Sequence, residues 1–296
     1  VQAALGLLAL FASSTWLPLA SAADVTITGH IYCDNVFSFW FNNALIKTDP
    51  ITFTPHNAVK VSFTWDGTSD KHFAIMCQDF ATASGYEYTE TSSPQLGDGA
   101  LLASFDDGTV TSKDWKAFVL SAGPTEASIT AGCSGTNLAA CALETAAEPT
   151  GWKEAGFTGA NFLAATEYTA AEAGWGRTPS WRAGEGCCTA TSPLTREDLT
   201  LNGGCSVNYD AGAPAAGVSA TVVQDDCLDP KNVLDNTKAA FIWSADLKKD
   251  NKVLFYHTRG AGDAAPGTVS ASAPRHLFWS WALLLSVCSM AAAWSH

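Results

Sequence analysis

The stretch Trp175-Gly176-Arg177-Thr178-Pro179-Ser180-Trp181-Arg182 gathers two indoles and two guanidinium groups into one short run. Sugar rings bind by laying their C–H faces on aromatic side chains while charged and amide groups bond the hydroxyls. Trp175, Arg177, Trp181 and Arg182 are therefore the candidate ligand-binding residues. Stacking of the same Trp and Arg side chains on one another to hold a loop is the alternative. Asp66-Gly67-Thr68-Ser69-Asp70 and Asp106-Asp107-Gly108-Thr109 place carboxylates at turns. Oxygen donors of this kind are what calcium requires, so Asp66, Asp70, Asp106 and Asp107 are the candidate metal ligands and structural calcium the candidate cofactor. Neither stretch has EF-hand spacing, and Asp-Gly is also an ordinary turn former.

Catalytic patterns are sparse. His30, His56, His72, His257, His276 and His296 are scattered, and neither H-E-x-x-H nor G-x-S-x-G occurs. Glu144 with Glu148 and Asp225 with Asp226 are carboxylate pairs, but glycosidase chemistry depends on their separation in space, which spacing along the chain does not give. The expectation is a protein that is not an enzyme.

Charge excludes another class. With 16 Lys+Arg against 29 Asp+Glu the formal net charge is −13. A nucleic-acid partner needs a basic surface to replace phosphate counterions, so none is expected.

The apolar residues that raise the mean hydropathy to +0.07 concentrate at the two ends. Residues 1–22 carry no charge, run through Leu5-Gly6-Leu7-Leu8-Ala9-Leu10-Phe11-Ala12 and finish in Leu19-Ala20-Ser21-Ala22, which reads as a secretory signal peptide cleaved after Ala22. No Met or basic segment precedes the apolar run, so the leader reads as truncated. Residues 277–296 are apolar again and lack a following Lys or Arg, which favours a GPI-anchor signal over a single-pass helix. Gly262 and Asp263, within Gly260-Ala261-Gly262-Asp263-Ala264-Ala265, are the leading attachment candidates, with Ser270 as a second. Residues 259–276 form the stalk. The expected location is the outer face of the plasma membrane, held through the tail, or secretion if the tail is not an anchor.

Of the 9 cysteines, Cys288 falls in the tail. The other eight, Cys33, Cys77, Cys133, Cys141, Cys187, Cys188, Cys205 and Cys227, make the even set that a disulfide framework in an oxidising compartment needs. Spacing favours Cys133 with Cys141 and internal pairing among the last four, which would leave Cys33 to join Cys77. No C-x-x-C pair supports zinc or redox chemistry.

The elements that would position these residues read as strands. Val25 to Tyr32, Val36 to Phe41 with a turn at Asn42-Asn43, Ile51 to Phe53, Val59 to Trp65, His72 to Cys77, Ala100 to Phe105, Trp115 to Leu120, Ala240 to Trp243 and Val253 to Thr258 are rich in β-formers or alternate with period two. Trp40, Trp65 and Trp243 fall in these runs and are expected in the core. Helical turns are expected only near Ser69 to Phe73, Asn161 to Ala165 or Thr169 to Ala173. Residues 174–236 are rich in Gly, Ala, Pro, Thr and Cys and read as a disulfide-held insertion. The fold class is all-β: a two-sheet β-sandwich over residues 23–258 with no separate second domain.

Three stretches carry a resemblance. Cys33-Asp34-Asn35-Val36-Phe37-Ser38-Phe39-Trp40-Phe41-Asn42-Asn43 resembles the "D-N-x-x-x-h-x-h-N-G" strand and turn of galactose-binding-like jelly-roll modules, those related to the sugar-binding sandwich of glycoside hydrolases. Gly151-Trp152-Lys153-Glu154-Ala155-Gly156-Phe157, with Phe162 and Ala164-Ala165-Thr166, resembles their "W-x-x-x-x-F-D-D-S-x-W-x-x-A" segment. Phe241-Ile242-Trp243 followed by Val253-Leu254-Phe255-Tyr256 resembles their terminal strand pair. The chain departs from the pattern at Thr158-Gly159-Ala160-Asn161-Phe162, where the acidic pair and second Trp are missing, and at Tyr256-His257, where the terminal Arg is missing. The resemblance implies a jelly roll that binds carbohydrate. The leading expectation is a non-catalytic cell-surface carbohydrate-binding or adhesive protein, whose partner is a carbohydrate or surface glycoprotein. A structural cell-coat protein without sugar binding and a glycosidase-like hydrolase are the alternatives.

Overall fold

A computed structural model describes residues 23–49, 58–89, 91–173, 234 and 237–263. The leader, the strand expected at Ile51 to Phe53, Trp175, Arg177, Trp181, Arg182, Cys187, Cys188, Cys205, Cys227, Ser270 and the apolar tail lie outside the described residues.

The chain is all-β. In order the strands are β1 (Val25–Asp34), β2 (Val36–Phe41), β3 (Ala44–Thr48), β4 (Val59–Trp65), β5 (Lys71–Gln78) and β6 (Ala100–Phe105). They continue with β7 (Lys116–Ala122), β8 (Glu144–Thr145), β9 (Leu163–Ala164), β10 (Thr166–Tyr168), β11 (Phe241–Trp243) and β12 (Asp250–Arg259). One antiparallel sheet runs β10-β11-β6-β1-β4, and the other β3-β2-β5-β12-β7-β8 with β9 also on β7. The chain crosses from the first sheet to the second at Asn35, between β1 and β2. Asn42 and Asn43 both adopt positive φ, 46° and 70°, the paired left-handed conformation that closes a tight hairpin without splaying β2 and β3.

Phenylalanines fill the space between the sheets. Phe39, Phe41 and Phe73 from the second sheet meet Phe63 and Phe105 from the first, with ring centroids 4.4–6.3 Å apart. The burial pattern of each strand reports what covers it. β4 alternates, Val59, Val61 and Phe63 buried against exposed Lys60, Ser62 and Thr64, because only one face of that edge strand is packed. β5 is buried at Lys71 through Ile75 without alternation. Its outer face lies under the segment carrying Trp152, Phe157 and Phe162, which packs on Ala74, Met76, Leu254 and Tyr256.

Trp243 is fully buried between the sheets. Trp40 instead faces outward beneath that covering segment, edge-on to Trp152 with Lys153 Nζ 4.2 Å from its ring centre. Trp65 is half-buried, with Lys71 Nζ 4.6 Å from its ring.

Among the described residues two disulfides are formed, Cys33–Cys77 and Cys133–Cys141. The first ties β1 to β5, and thus one sheet to the other. No helix forms at Ser69 to Phe73. The Asp66 carboxylate closes the preceding turn on the N–H groups of Thr68 and Ser69, both at 2.7 Å, and β5 then pairs with β12. Asn161 to Ala165 holds β9 rather than a helical turn, since Ala164 and Leu163 pair with Lys116 and Ala117. Thr169 to Ala173 does close one turn, through Ala173 N–H to Thr169 O at 3.0 Å. The short helix α1 (Glu126–Thr130) was not expected; Thr125 caps it, its Oγ1 accepting from Ser128 N–H at 3.0 Å.

His72 fastens the covering segment. Its Nε2 lies 2.8 Å from Trp152 O, and a carbonyl only accepts, so Nε2 carries the proton. Nδ1 then accepts from the Thr258 hydroxyl at 2.7 Å. Burial pushes this imidazole below its ordinary 6.5, against the bond to Trp152, which favours the charged form. Neutral His72 thus contributes stability that is fully present above pH 6.5 and is lost as pH falls through the lowered value. In urea melts the stability difference between wild type and His72→Gln is expected to shrink below pH 6.5. A difference independent of pH would contradict this role.

Candidate functional site

The residues that converge are not the ones the turn sequences single out. Oδ1 of the exposed Asp66 accepts from the N–H groups of its own turn, and Asp70 accepts from Ala261 N–H at 3.2 Å. Asp106 accepts from Thr28 N–H at 3.1 Å. Asp107 is ion-paired with Lys71 at 2.7 Å and lies 3.7 Å from Arg259 Nη1. Two cations already neutralise Asp107, which leaves it a poor ligand for a third. Of the anchor candidates, Asp263 accepts from Gly260 N–H at 2.7 Å, and Gly262 has open space at its Cα. Glu144 pairs with Lys249 at 3.2 Å, and Glu148 accepts from Trp152 Nε1 at 2.6 Å and pairs with Lys153 at 2.9 Å.

Among the described residues, the acidic groups that do meet are Asp79, Glu87 and Asp98, one carboxylate oxygen of each lying within 4.8 Å of the others. All three come from the connection between β5 and β6. Asp79 follows the last residue of β5, and its N–H is held by Asn251 O at 2.8 Å. The connection then folds back on itself. Glu87 N–H bonds Gln95 O at 2.7 Å and Gln95 N–H returns to Glu87 O at 3.2 Å, which brings Asp98 alongside. Two glycines make the approach possible. A Cβ on Gly97 would stand 1.5 Å from Asp79 Oδ2, and one on Gly99 would strike the Trp243 ring at 2.4 Å.

The cluster has no ion-pair partner among the described residues. Asp79 is wholly buried and Glu87 nearly so, and neither oxygen of Asp79 receives a hydrogen bond. Burial first, then the neighbouring Glu87, pushes the Asp79 carboxyl far above the usual range, and burial raises those of Glu87 and Asp98. Asp34, buried at the end of β1, adds its charge to the same field. Lys248 acts on Asp98 through space, yet none of the ion pairs among the described residues involves the three. Such an arrangement can hold shared protons or a hard cation.

A cleft of about 520 Å³ opens beside it, lined by Gln95, Leu96, Gly97, Asp98, Ala171, Glu172, Leu247 and Lys248. Asp98 belongs to both cluster and cleft. The chain leaves the described part of the sandwich one residue after Glu172, at Ala173, toward Trp175. Nothing in local sequence spacing identifies the cluster, because the reversal that joins Glu87 to Gln95 is a tertiary event. One signal was available: no Lys or Arg stands between Lys71 and Lys113, while Asp79, Glu87, Glu90, Asp98, Asp106 and Asp107 do.

Compared with known proteins, the chain matches no protein-family model, no curated protein and no solved structure.

Proposed function

We propose that this protein is a non-catalytic carbohydrate-binding or adhesive module of the cell surface, built as a galactose-binding-like jelly roll. The observation that supports this reading is the cleft into which Gln95, Asp98, Glu172 and Lys248 bring polar groups, close in the chain to the segment carrying Trp175, Arg177, Trp181 and Arg182. Carboxylate, amide and ammonium groups in one concavity suit sugar hydroxyls, and Trp supplies the stacking face. The disulfides fit an oxidising extracellular setting.

A glycan array probed with the secreted protein tests this. Wild type is expected to bind, and Trp175→Ala, Trp181→Ala or Lys248→Ala to weaken binding by about tenfold or more, a change of ~1.4 kcal/mol. No binding by wild type, or binding unchanged in all three variants, overturns the reading. Self-association without glycan binding would instead mark a structural coat component.

A further inference from the structure

Two buried carboxylates and a half-buried third, with one oxygen of each within 4.8 Å of the others, need positive charge. An unpaired buried carboxylate costs several kcal/mol, and among the described residues no ammonium or guanidinium group closes on these three. One proton shared between Asp79 and Glu87 would engage one oxygen of Asp79 and leave the other, buried and without a donor, unsatisfied. The backbone at Gly97 is drawn so close to Asp79 Oδ2 that no side chain fits there, so the carboxylate is held in one orientation, toward Glu87 and Asp98. The Asn251 amide, on the strand that receives the Asp79 N–H, is also buried with neither polar atom bonded. Polar groups this poorly satisfied in a native interior mark a missing partner.

The donor set names the partner. It is all oxygen, without His or Cys, which disfavours zinc. Calcium takes six to eight oxygens, whereas magnesium keeps several waters and is held by only one or two carboxylates. Three protein carboxylates, with one oxygen of each within 4.8 Å of the others, therefore suit calcium. We propose that Asp79, Glu87 and Asp98 bind one calcium ion, which ties the β5–β6 connection together and forms the wall of the neighbouring cleft at Asp98. The site stands on its own geometry, so loss of the sugar-binding reading would leave it intact.

The test is calorimetric titration of CaCl2 into the secreted protein after EDTA treatment and desalting, paired with thermal melts in calcium and in EDTA. Wild type is expected to bind one calcium per chain with Kd at or below about 10⁻⁴ M, the range of extracellular modules and tighter, and to melt higher in calcium. Asp79→Asn and Glu87→Gln are expected to lose at least tenfold in affinity and most of the calcium-dependent rise. Each removes a buried charge at nearly constant volume, so each should melt in EDTA no lower than wild type. Asp98→Asn, at the cleft, gives a third variant should either of the others fail to fold. Asp66→Asn, on an exposed turn, should bind as wild type does. No binding by wild type, wild-type affinity in all the cluster variants, or loss of binding in Asp66→Asn instead overturns the proposal.

Discussion

Substituting both Cys33 and Cys77 with Ala is expected to lower the unfolding free energy by about 4 kcal/mol, the loop-closure value for a separation of 44 residues. The corresponding change at Cys133 and Cys141, 8 residues apart, is expected to cost only about 2.5 kcal/mol. The ordering follows from position as well as loop length. Cys33 stands at the end of β1, just before the chain crosses to the other sheet, and Cys77 lies on β5, so the bond fixes the corner where the two sheets meet. Cys133–Cys141 closes a surface loop after α1. Denaturant melts of the two double variants check this; equal losses, or a larger loss at Cys133–Cys141, would contradict it.

Asp107→Ala is expected to destabilise by about 3–5 kcal/mol, the cost of leaving a buried charge without its partner. Lys71 and Arg259 lie directly opposite each other where β5 and β12 pair, and like charges so placed repel. Asp107 relieves the repulsion, accepting from Lys71 Nζ at 2.7 Å and from Thr109 N–H at 2.9 Å. Burial alone would raise its carboxyl, but Lys71 and Thr109 outweigh burial and hold it below its ordinary 3.8. The stability from this lowering is therefore present above pH 3.8 and lost as pH falls through the folded-state value. Denaturant melts of wild type and Asp107→Ala should thus converge in strongly acid solution. A loss below about 1 kcal/mol at neutral pH would place the pair with ordinary exposed ion pairs. A loss that appears only in calcium would make Asp107 a metal ligand instead.

The two ends of β5 show what sequence can and cannot disclose. The strand itself is legible from His72 to Cys77 because β-formers and apolar residues run together there. So is β4, whose strict alternation from Val59 records one packed face. The bonds Cys33–Cys77 and Cys133–Cys141 agree with spacing and with the even cysteine count. The strands β8, β9 and β10 were not legible, since two or three residues carry no periodicity and owe their form to the neighbours they pair with. Trp40 reads as core because it sits in an apolar run, but the face it occupies is set by a segment more than a hundred residues later in the chain. The acidic residues divide in the same way. Asp66 and Asp107 stand in turn-forming sequences and are claimed by local N–H groups and by cations, whereas Asp79, Glu87 and Asp98 look unrelated along the chain. Only the reversal at Glu87 and Gln95, together with the bare backbone at Gly97, makes them one site.

A crystal structure of the protein grown in CaCl2 tests the central claim most directly, by examining the space among Asp79, Glu87 and Asp98. The expected result is an ion with carboxylate oxygens from all three residues at about 2.3–2.6 Å. Direct contact between Asp79 and Glu87 through a shared proton, with no ion between them at millimolar calcium, would contradict it.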